Sequence, residues 1–181
     1  MAHPEFTLLG DAVWLDFVNS ARGRTLSPPD MLPDAAAFTR WARAQRLIQL
    51  DGDVPYPAIR DFRQQLSALA EALDADLQPP AGSIAGINAI LARSAGSHRL
   101  TRVGGEWQMQ FAPSAPLTPI EAIARSAAAT LADAQVLVRR CAGETCSLFV
   151  ADSSPTRSRR WCVAALCGAN LRVERRRGPR R

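Results

Sequence analysis

All four cysteines of the 181-residue chain lie in one short stretch near its C-terminus. They form two C-x4-C pairs, Cys141 with Cys146 and Cys162 with Cys167, separated by fifteen residues. Four thiolates in so short a segment can surround one tetrahedral Zn²⁺, and a closed four-cysteine shell leaves no ligand position open for a substrate. The spacing therefore predicts one zinc ion with a structural role.

Three other readings of the cysteines stay open. Two disulfides would require an oxidising compartment, and the N-terminal sequence has no basic region followed by an apolar core and a small-residue cleavage site. Four unrelated buried thiols would be expected to scatter along the chain, and iron–sulfur clusters commonly use tighter cysteine spacings. We expect a cytoplasmic protein with reduced thiols.

No run of 18 apolar residues occurs, so we expect no membrane span.

Arginines surround and follow the cysteines. The segment from Arg139 to Arg181 holds eleven arginines and three acidic residues, a net charge of +8, whereas residues 1–138 hold eleven arginines and fourteen acidic residues, a net charge of −3. Such asymmetry predicts a basic module that faces nucleic acid, although a solvated basic tail has the same composition. The candidate DNA-binding residues are Arg157, Arg159, Arg160, Arg172, Arg175, Arg176 and Arg177.

A second candidate site lies near the N-terminus. Val13, Trp14, Phe17 and Val18 are spaced like one face of a short helix, and Asp16 and Asn19 share the adjacent face. Polar side chains amid such apolar density usually brace a neighbouring loop. A small-ligand site at Asp16 and Asn19 is the alternative interpretation.

The remaining pattern predicts a mainly helical, α+β fold with one β-hairpin. Apolar residues recur every three or four positions from Ala58 to Leu77, and Ser83 is a plausible N-cap for a helix ending near Arg93. Alternation on both sides of Gly104-Gly105 predicts a hairpin over residues 98–111. The side chains available for its core side or for the pairs near the turn are Leu100, Val103, Trp107, Met109 and Phe111. A long helix is predicted from Ile120 to Val138, leading directly into the cysteine module.

The sequence carries no catalytic motif. It has no G-x-G-x-x-G after a strand, no Walker loop and no H-E-x-x-H, and its two histidines, His3 and His98, have no nucleophile or acid at motif spacing. All four thiols are assigned to the metal. We therefore expect a protein that is not an enzyme.

The order of residues around the cysteines resembles the CGNR zinc finger, a bacterial module that follows the ABATE domain. The residues that match that pattern, together with the four cysteines, are Arg139, Arg140, Phe149, Arg159, Arg160, Trp161 and Gly168. The run Leu15-Asp16-Phe17-Val18-Asn19 resembles the signature that opens ABATE domains. Two positions depart: the Cys-Gly-Asn-Arg signature reads Cys167-Gly168-Ala169-Asn170, with an arginine only at 172. The metal ligands survive this change, but it puts a DNA contact by the signature arginine in doubt.

The resemblance implies an ABATE-like helical domain over residues 1–137 and a small treble-clef-like finger with an arginine-rich tail over 138–181. It also implies stress-linked transcription regulation, with DNA binding inferred from the finger. Our own hypothesis adds a body that binds a small effector or forms a homodimer. The alternative is a zinc-stapled protein-interaction or ligand-binding protein without DNA contact. A module held by metal is also expected to unfold without a cysteine while the body stays folded.

Overall fold

The computed structural model describes residues 5–47 and 55–168, which form a mixed α+β fold. Within these ranges lie six helices and two antiparallel two-stranded sheets, as the sequence predicted for the fold class. No helix in the described ranges is long and apolar enough to span a bilayer. In chain order the elements are α1 Val13–Asn19, α2 Ala35–Ala44, α3 Tyr56–Asp74, α4 Ala81–Leu91, β1 Gly96–Val103, β2 Glu106–Pro113, α5 Pro119–Ala132, β3 Leu137–Arg140, β4 Phe149–Asp152 and α6 Ala164–Cys167.

The short helix α1 occupies the centre of the body. Six of its seven residues are buried, and it packs against α3, α5 and β4. Phe17 meets Phe38 and Trp41 of α2 with ring centroids 5.8 and 5.4 Å apart, within the range of favourable aromatic pairs. A seven-residue helix is too short to be stable by itself, so α1 is held by the elements packed around it.

The helix boundaries differ from the sequence prediction where local capping decides them. The third helix spans Tyr56–Asp74 instead of Ala58–Leu77. The fourth begins at Ala81, and Ser83 is not its N-cap, because the Ser83 hydroxyl donates to the Gln65 carbonyl of α3 at 2.7 Å. Helix α5 begins at Pro119, directly after its N-cap Thr118; a proline fits this position because the N–H that it lacks would have no partner there. Thr118 and Glu121 form a capping box at the start of α5.

The predicted helix from Ile120 to Val138 was too long. Helix α5 ends at Ala132, and the Asp133 carboxylate accepts a bond of 2.8 Å from the Gln135 N–H, which turns the chain. Leu137 to Arg140 then form β3, paired with β4. An aspartate that bonds a backbone N–H two residues on favours a turn over a continued helix.

The hairpin forms where predicted, but its side chains do not reach the core. Gly104 and Gly105 both have positive φ values, 59° and 92°, as a two-residue hairpin turn requires. Leu100, Trp107 and Met109 are 67, 66 and 73% exposed. The expectation that these residues face the core was wrong: two-residue alternation specifies which side chains share a face, not what covers that face.

Strand β4 is buried on both faces and serves two cores. Phe149 and Ala151 join the body's core, whereas Leu148, just before the strand, and Val150 pack with the four cysteines. This division follows from the alternation of side chains along an extended segment. Body and zinc module therefore share one continuous strand, and loss of the module would expose part of the body's core.

Three separate body segments bond the edge of β4 that β3 leaves free. The Ser147 N–H donates to the Gly23 carbonyl and the Ala151 N–H to the Gly10 carbonyl, each at 2.8 Å. Between them, the Asn19 side chain accepts from the Phe149 N–H and donates to the Phe149 carbonyl, both at 2.8 Å. Asn19 thus replaces a neighbouring strand at this position. The body completes the hydrogen bonding of a strand that belongs to the zinc module.

Replacing Asn19 with alanine should loosen this junction. Asn19 is 0% exposed, so the variant leaves both Phe149 backbone groups buried without partners, at a cost of about 2–4 kcal/mol in the free energy of unfolding. Urea unfolding followed by circular dichroism measures the loss. Asn88→Ala, on the exposed side of α4, is the matched control and should change the free energy of unfolding little. Equal stability of both variants would contradict the bridging role of Asn19.

Candidate metal centre and surrounding arginines

The four cysteine sulfurs converge as a metal site requires. Their Sγ atoms all lie within 4.8 Å of one another, and all four cysteines are unpaired by disulfides. Cys162 Sγ lies 3.9 Å from Cys146 Sγ and 3.5 Å from Cys167 Sγ. Zn–S bonds of 2.3 Å at tetrahedral angles place sulfur atoms about 3.8 Å apart, whereas a disulfide needs about 2.0 Å. The geometry fits one zinc ion and excludes disulfides in this arrangement.

Each cysteine pair comes from a different local structure. Cys141 follows β3 directly and donates its N–H to the Leu148 carbonyl at 2.8 Å, and the chain turns back through a bond from the Cys146 N–H to the Gly143 carbonyl. Cys162 precedes α6, and Cys167 is its last residue. A single helical turn suffices to bring the two sulfurs together.

Burial and close spacing oppose the ionisation of two of the four thiols. Burial and the neighbouring Cys141 thiol raise the pKa of Cys146 to about 12. Burial and the neighbouring Cys167 thiol also raise the pKa of Cys162. Burial alone would raise the pKa of Cys141 too, but the N–H groups of Cys162 and Gly143 bond its sulfur and lower it overall. Several thiolates at this distance repel one another, and a divalent ion removes that cost.

Gly143 is a functional position that the sequence reasoning missed. A Cβ atom there would lie 3.0 Å from Cys167 Cβ, 3.1 Å from Cys146 Cβ and 3.2 Å from Cys167 Sγ. The glycine therefore lets the knuckle approach the second cysteine pair. A glycine between two ligands of a short metal loop is the signal that could have identified it.

Arg159 is committed to the module's own structure. Its guanidinium donates to the Trp161 carbonyl at 3.2 Å and the Cys162 carbonyl at 3.1 Å, and it pairs with Asp11 of the body. Its backbone N–H donates to the Asp152 carboxylate at 2.9 Å. Arg159 joins the body to the loop that carries the third zinc ligand.

Arg160 and Arg157 are placed differently. Arg160 is exposed, and its guanidinium lies 5.3 Å from the centre of the Trp161 ring, which is partly buried against the cysteine cluster. Arg157 is partly exposed and donates to the Gln135 side chain at 2.7 Å. The candidates at 172, 175, 176 and 177 lie outside the described residues. Of the three described candidates, Arg160 is the most accessible to a ligand.

Asp152 anchors the loop between the two cysteine pairs. It is 1% exposed and accepts bonds from the Ser154 N–H, the Ser154 hydroxyl and the Arg159 N–H at 3.0, 2.6 and 2.9 Å. Burial by itself would raise the pKa of the carboxyl, but these bonds, together with the nearby Arg139, lower it overall. The loop is thereby fixed at the end of β4, next to the body.

The structure separates the roles of Asp16 and Asn19. The amide oxygen and nitrogen of Asn19 are both bonded to Phe149, so Asn19 joins the body to the module. Asp16 accepts from the Gly10 N–H at 2.7 Å and from the Gln45 side chain at 2.8 Å. Asp16 also borders an open groove of about 550 Å³. This groove lies between α1, α5 and the residues after β4; its polar lining residues are Asp11, Asp16, Gln45, Ser126, Thr130, Asp133 and Ser153.

Gly143→Ala should weaken zinc binding. The added methyl group would push against both cysteine pairs, and we expect zinc affinity to fall roughly tenfold or more, as for other changes that misplace metal ligands. Competition with a chromophoric chelator measures the affinity, and the zinc content of the purified protein gives the stoichiometry, expected to be one per chain. Gly82→Ala is the matched control, because a Cβ atom there meets nothing within 4 Å. A Gly143→Ala protein with unchanged zinc affinity would contradict this packing.

Asp16→Asn should alter the pH dependence of stability. Burial raises the pKa of Asp16, partly offset by bonds from Gly10 and Gln45. A carboxyl that binds its proton more tightly in the folded state contributes most to the stability of the fold when the pH is below its pKa in the unfolded chain, about 3.9. This contribution is lost as the pH rises through the pKa of the carboxyl in the folded protein. The wild-type protein should therefore lose stability relative to Asp16→Asn as the pH increases from about 4. Urea unfolding at a series of pH values measures the difference, in which the shared pH dependence of zinc binding cancels; a pH-independent difference would contradict the raised pKa.

Comparison with known families agrees with this architecture. The ABATE family, described as "Putative stress-induced transcription regulator", matches residues 11–134, and the CGNR zinc finger matches residues 138–180. No curated protein matches the chain. The converging sulfurs and the finger match together establish a structural zinc ion held by four cysteines. The ABATE match covers more than half of the length of this chain, so the chain belongs to the ABATE family and carries a C-terminal CGNR zinc finger.

Proposed function

We propose that this protein is a bacterial transcription regulator that binds DNA through the zinc finger and its arginines, acts in the cytoplasm and is not an enzyme. The observation that carries the proposal is the accessible guanidinium of Arg160 beside the zinc module, in a segment with a net charge of +8. The zinc has four protein ligands and no open position, which favours a structural role over catalysis. Stress-linked regulation follows the description of the ABATE family.

The chemistry of the arginines supports phosphate as the ligand. A guanidinium presents a planar set of N–H donors that matches phosphate oxygens, and every basic residue of the chain is arginine. Arg160 combines this donor set with a ring that holds it in place. The arginines from 172 to 181 add charge to the same module. Contacts of this kind position a protein on DNA and do not by themselves read a base sequence.

Arg159 has a different part in this proposal. Its side chain is 29% exposed and occupied by the Asp11 carboxylate and the carbonyls of Trp161 and Cys162. A phosphate contact would compete with these bonds. We assign Arg159 to positioning the loop from which Arg160 projects, so its loss would affect stability as well as affinity.

A second candidate function follows from the strand shared by body and module. Because β4 completes the core of the body, the zinc module could serve only as a staple for a protein-interaction or small-ligand-binding body, without DNA. The groove bordered by Asp16 suits a small molecule in size. Its carboxylates favour a ligand with N–H donors, and such a ligand is the effector that we propose in either case.

DNA binding is tested by the salt dependence of affinity for a fluorescent duplex. Neutralising each phosphate contributes about −0.9 to the slope of log affinity against log salt. Arg160→Ala should lower the affinity and reduce the steepness of the slope by about 1, and the triple change of Arg175, Arg176 and Arg177 to alanine should reduce it by about 3. Fluorescence anisotropy measures both quantities.

The matched control is Arg43→Ala, which removes an exposed arginine from α2 in the body. It should leave both affinity and slope unchanged, and circular dichroism with zinc analysis should show every variant folded and loaded. A wild-type protein that binds zinc but no duplex at low salt would reject DNA binding and favour the staple. Affinity that is unchanged in both the Arg160 and the triple variant would reject the proposed contact surface.

A further inference from the structure

The β1–β2 hairpin has one apolar and one polar face. Paired residues along an antiparallel ribbon alternate between its two faces. Three pairs share the first face: His98 with Phe111, Leu100 with Met109 and Arg102 with Trp107. The second face carries Arg99 with Gln110, Thr101 with Gln108 and Val103 with Glu106. The large apolar side chains are thus concentrated on the first face.

This face is uncovered towards the turn. Leu100, Trp107 and Met109 are 67, 66 and 73% exposed, which amounts to roughly 400 Å² of apolar surface from three side chains. Neither outer edge of the hairpin pairs with another strand within the described residues. Isolated two-stranded hairpins are marginally stable in water and usually need a packed face. The contacts that this face makes with its own chain are confined to its base.

At that base the apolar face continues into a groove along α5. Met109 and Phe111 line one side of it, and the Arg125 guanidinium lies 5.7 Å from the Phe111 ring centre. The groove has a volume of about 640 Å³. Its remaining apolar lining residues are Leu91, Leu117, Ala128, Ala129 and Ala132. Groove and hairpin face form one continuous surface because Met109 belongs to both.

We propose that a second copy of this chain covers the surface, with the apolar face of each hairpin packed against the hairpin and groove of the other copy. A two-fold dimer buries the same patch on both chains. The three exposed side chains alone supply about half of the roughly 800 Å² per partner that a standard interface buries, and the groove adds to it. This surface carries charges of both signs, Arg102 on the hairpin face and Glu121 with Arg125 in the groove, so a second copy can oppose each charge with its opposite.

A small ligand in the groove would leave most of the surface uncovered. Leu100 and Trp107 lie beyond the residues that line the groove, closer to the turn. An occupant must therefore extend from the groove along the hairpin as far as the pair formed by Arg102 and Trp107. A second hairpin of the same length and polarity fulfils this requirement, and its own apolar face is covered in the same contact. The dimer is independent of the proposed DNA binding.

The test is the mass of the full, zinc-loaded chain in solution, measured by sedimentation equilibrium at micromolar concentrations. We expect the wild type at twice the 19.6 kDa chain mass. Leu100→Glu combined with Met109→Glu should weaken association at least a hundredfold and give a monomer. The matched control is Thr101→Glu combined with Gln108→Glu, which places the same charges at neighbouring positions on the opposite face and should remain a dimer.

Folding does not confound this comparison, because all four positions are exposed; circular dichroism and zinc content should be equal in the three proteins. A monomeric wild type would overturn the proposal and leave a different partner for this face. A dimer that survives the Leu100 and Met109 changes would place the interface elsewhere, and equal dissociation of both variants would overturn the assignment to the apolar face. Titrating the Leu100 and Met109 variant with duplex DNA separates a failure of dimerisation from a failure of DNA binding.

Discussion

The structure depends on the hydrogen bonding of one short strand. Strand β4 takes its partners from β3 on one edge and from Gly10 and Asn19 of the body on the other, and Gly23 bonds Ser147 just before the strand. A buried strand with unpaired backbone groups would cost several kcal/mol, so neither part of the chain satisfies β4 alone. Through Cys141 and Cys146 the zinc ion fixes the loop that joins β3 to β4, and the body completes the free edge of β4.

This arrangement changes what the metal stabilises. Small zinc modules commonly replace a hydrophobic core with metal ligation. Here Leu148 and Val150 face the cysteines while Phe149 and Ala151 complete the core of the body. Loss of a zinc ligand is therefore expected to unfold the module and to expose the part of the body's core that Phe149 and Ala151 complete. The expectation that the body stays folded after the loss of a cysteine remains a prediction, and the strand shared by the two cores argues against it.

The sequence predicted those features that depend on local spacing. Cysteine spacing predicted the metal centre, and apolar periodicity predicted α3, α4 and the existence of the hairpin. Local spacing could not predict which elements cover which faces, because the hairpin pattern is equally compatible with the core and with an exposed surface. It also did not predict the end of α5, which is set by the local hydrogen bond from the backbone to the Asp133 carboxylate. The separate roles of Arg159 and Arg160 were also inaccessible, because they depend on Asp11, which lies 148 residues earlier in the chain than Arg159.

The same strand gives the body a route to influence the module. Asp16 of α1 and Ala151 of β4 line one groove, and Asp11, which also lines it, pairs with Arg159. A ligand that binds there contacts both parts at once. It would alter the module only if it bound more tightly to one arrangement of β4 and the Arg159 loop than to another. A cationic ligand would compete with Arg159 for the Asp11 carboxylate, which releases the arginine, whereas a neutral ligand would leave that pair intact. The charge of the proposed effector would therefore decide whether its binding in the groove reaches the loop that carries Arg160.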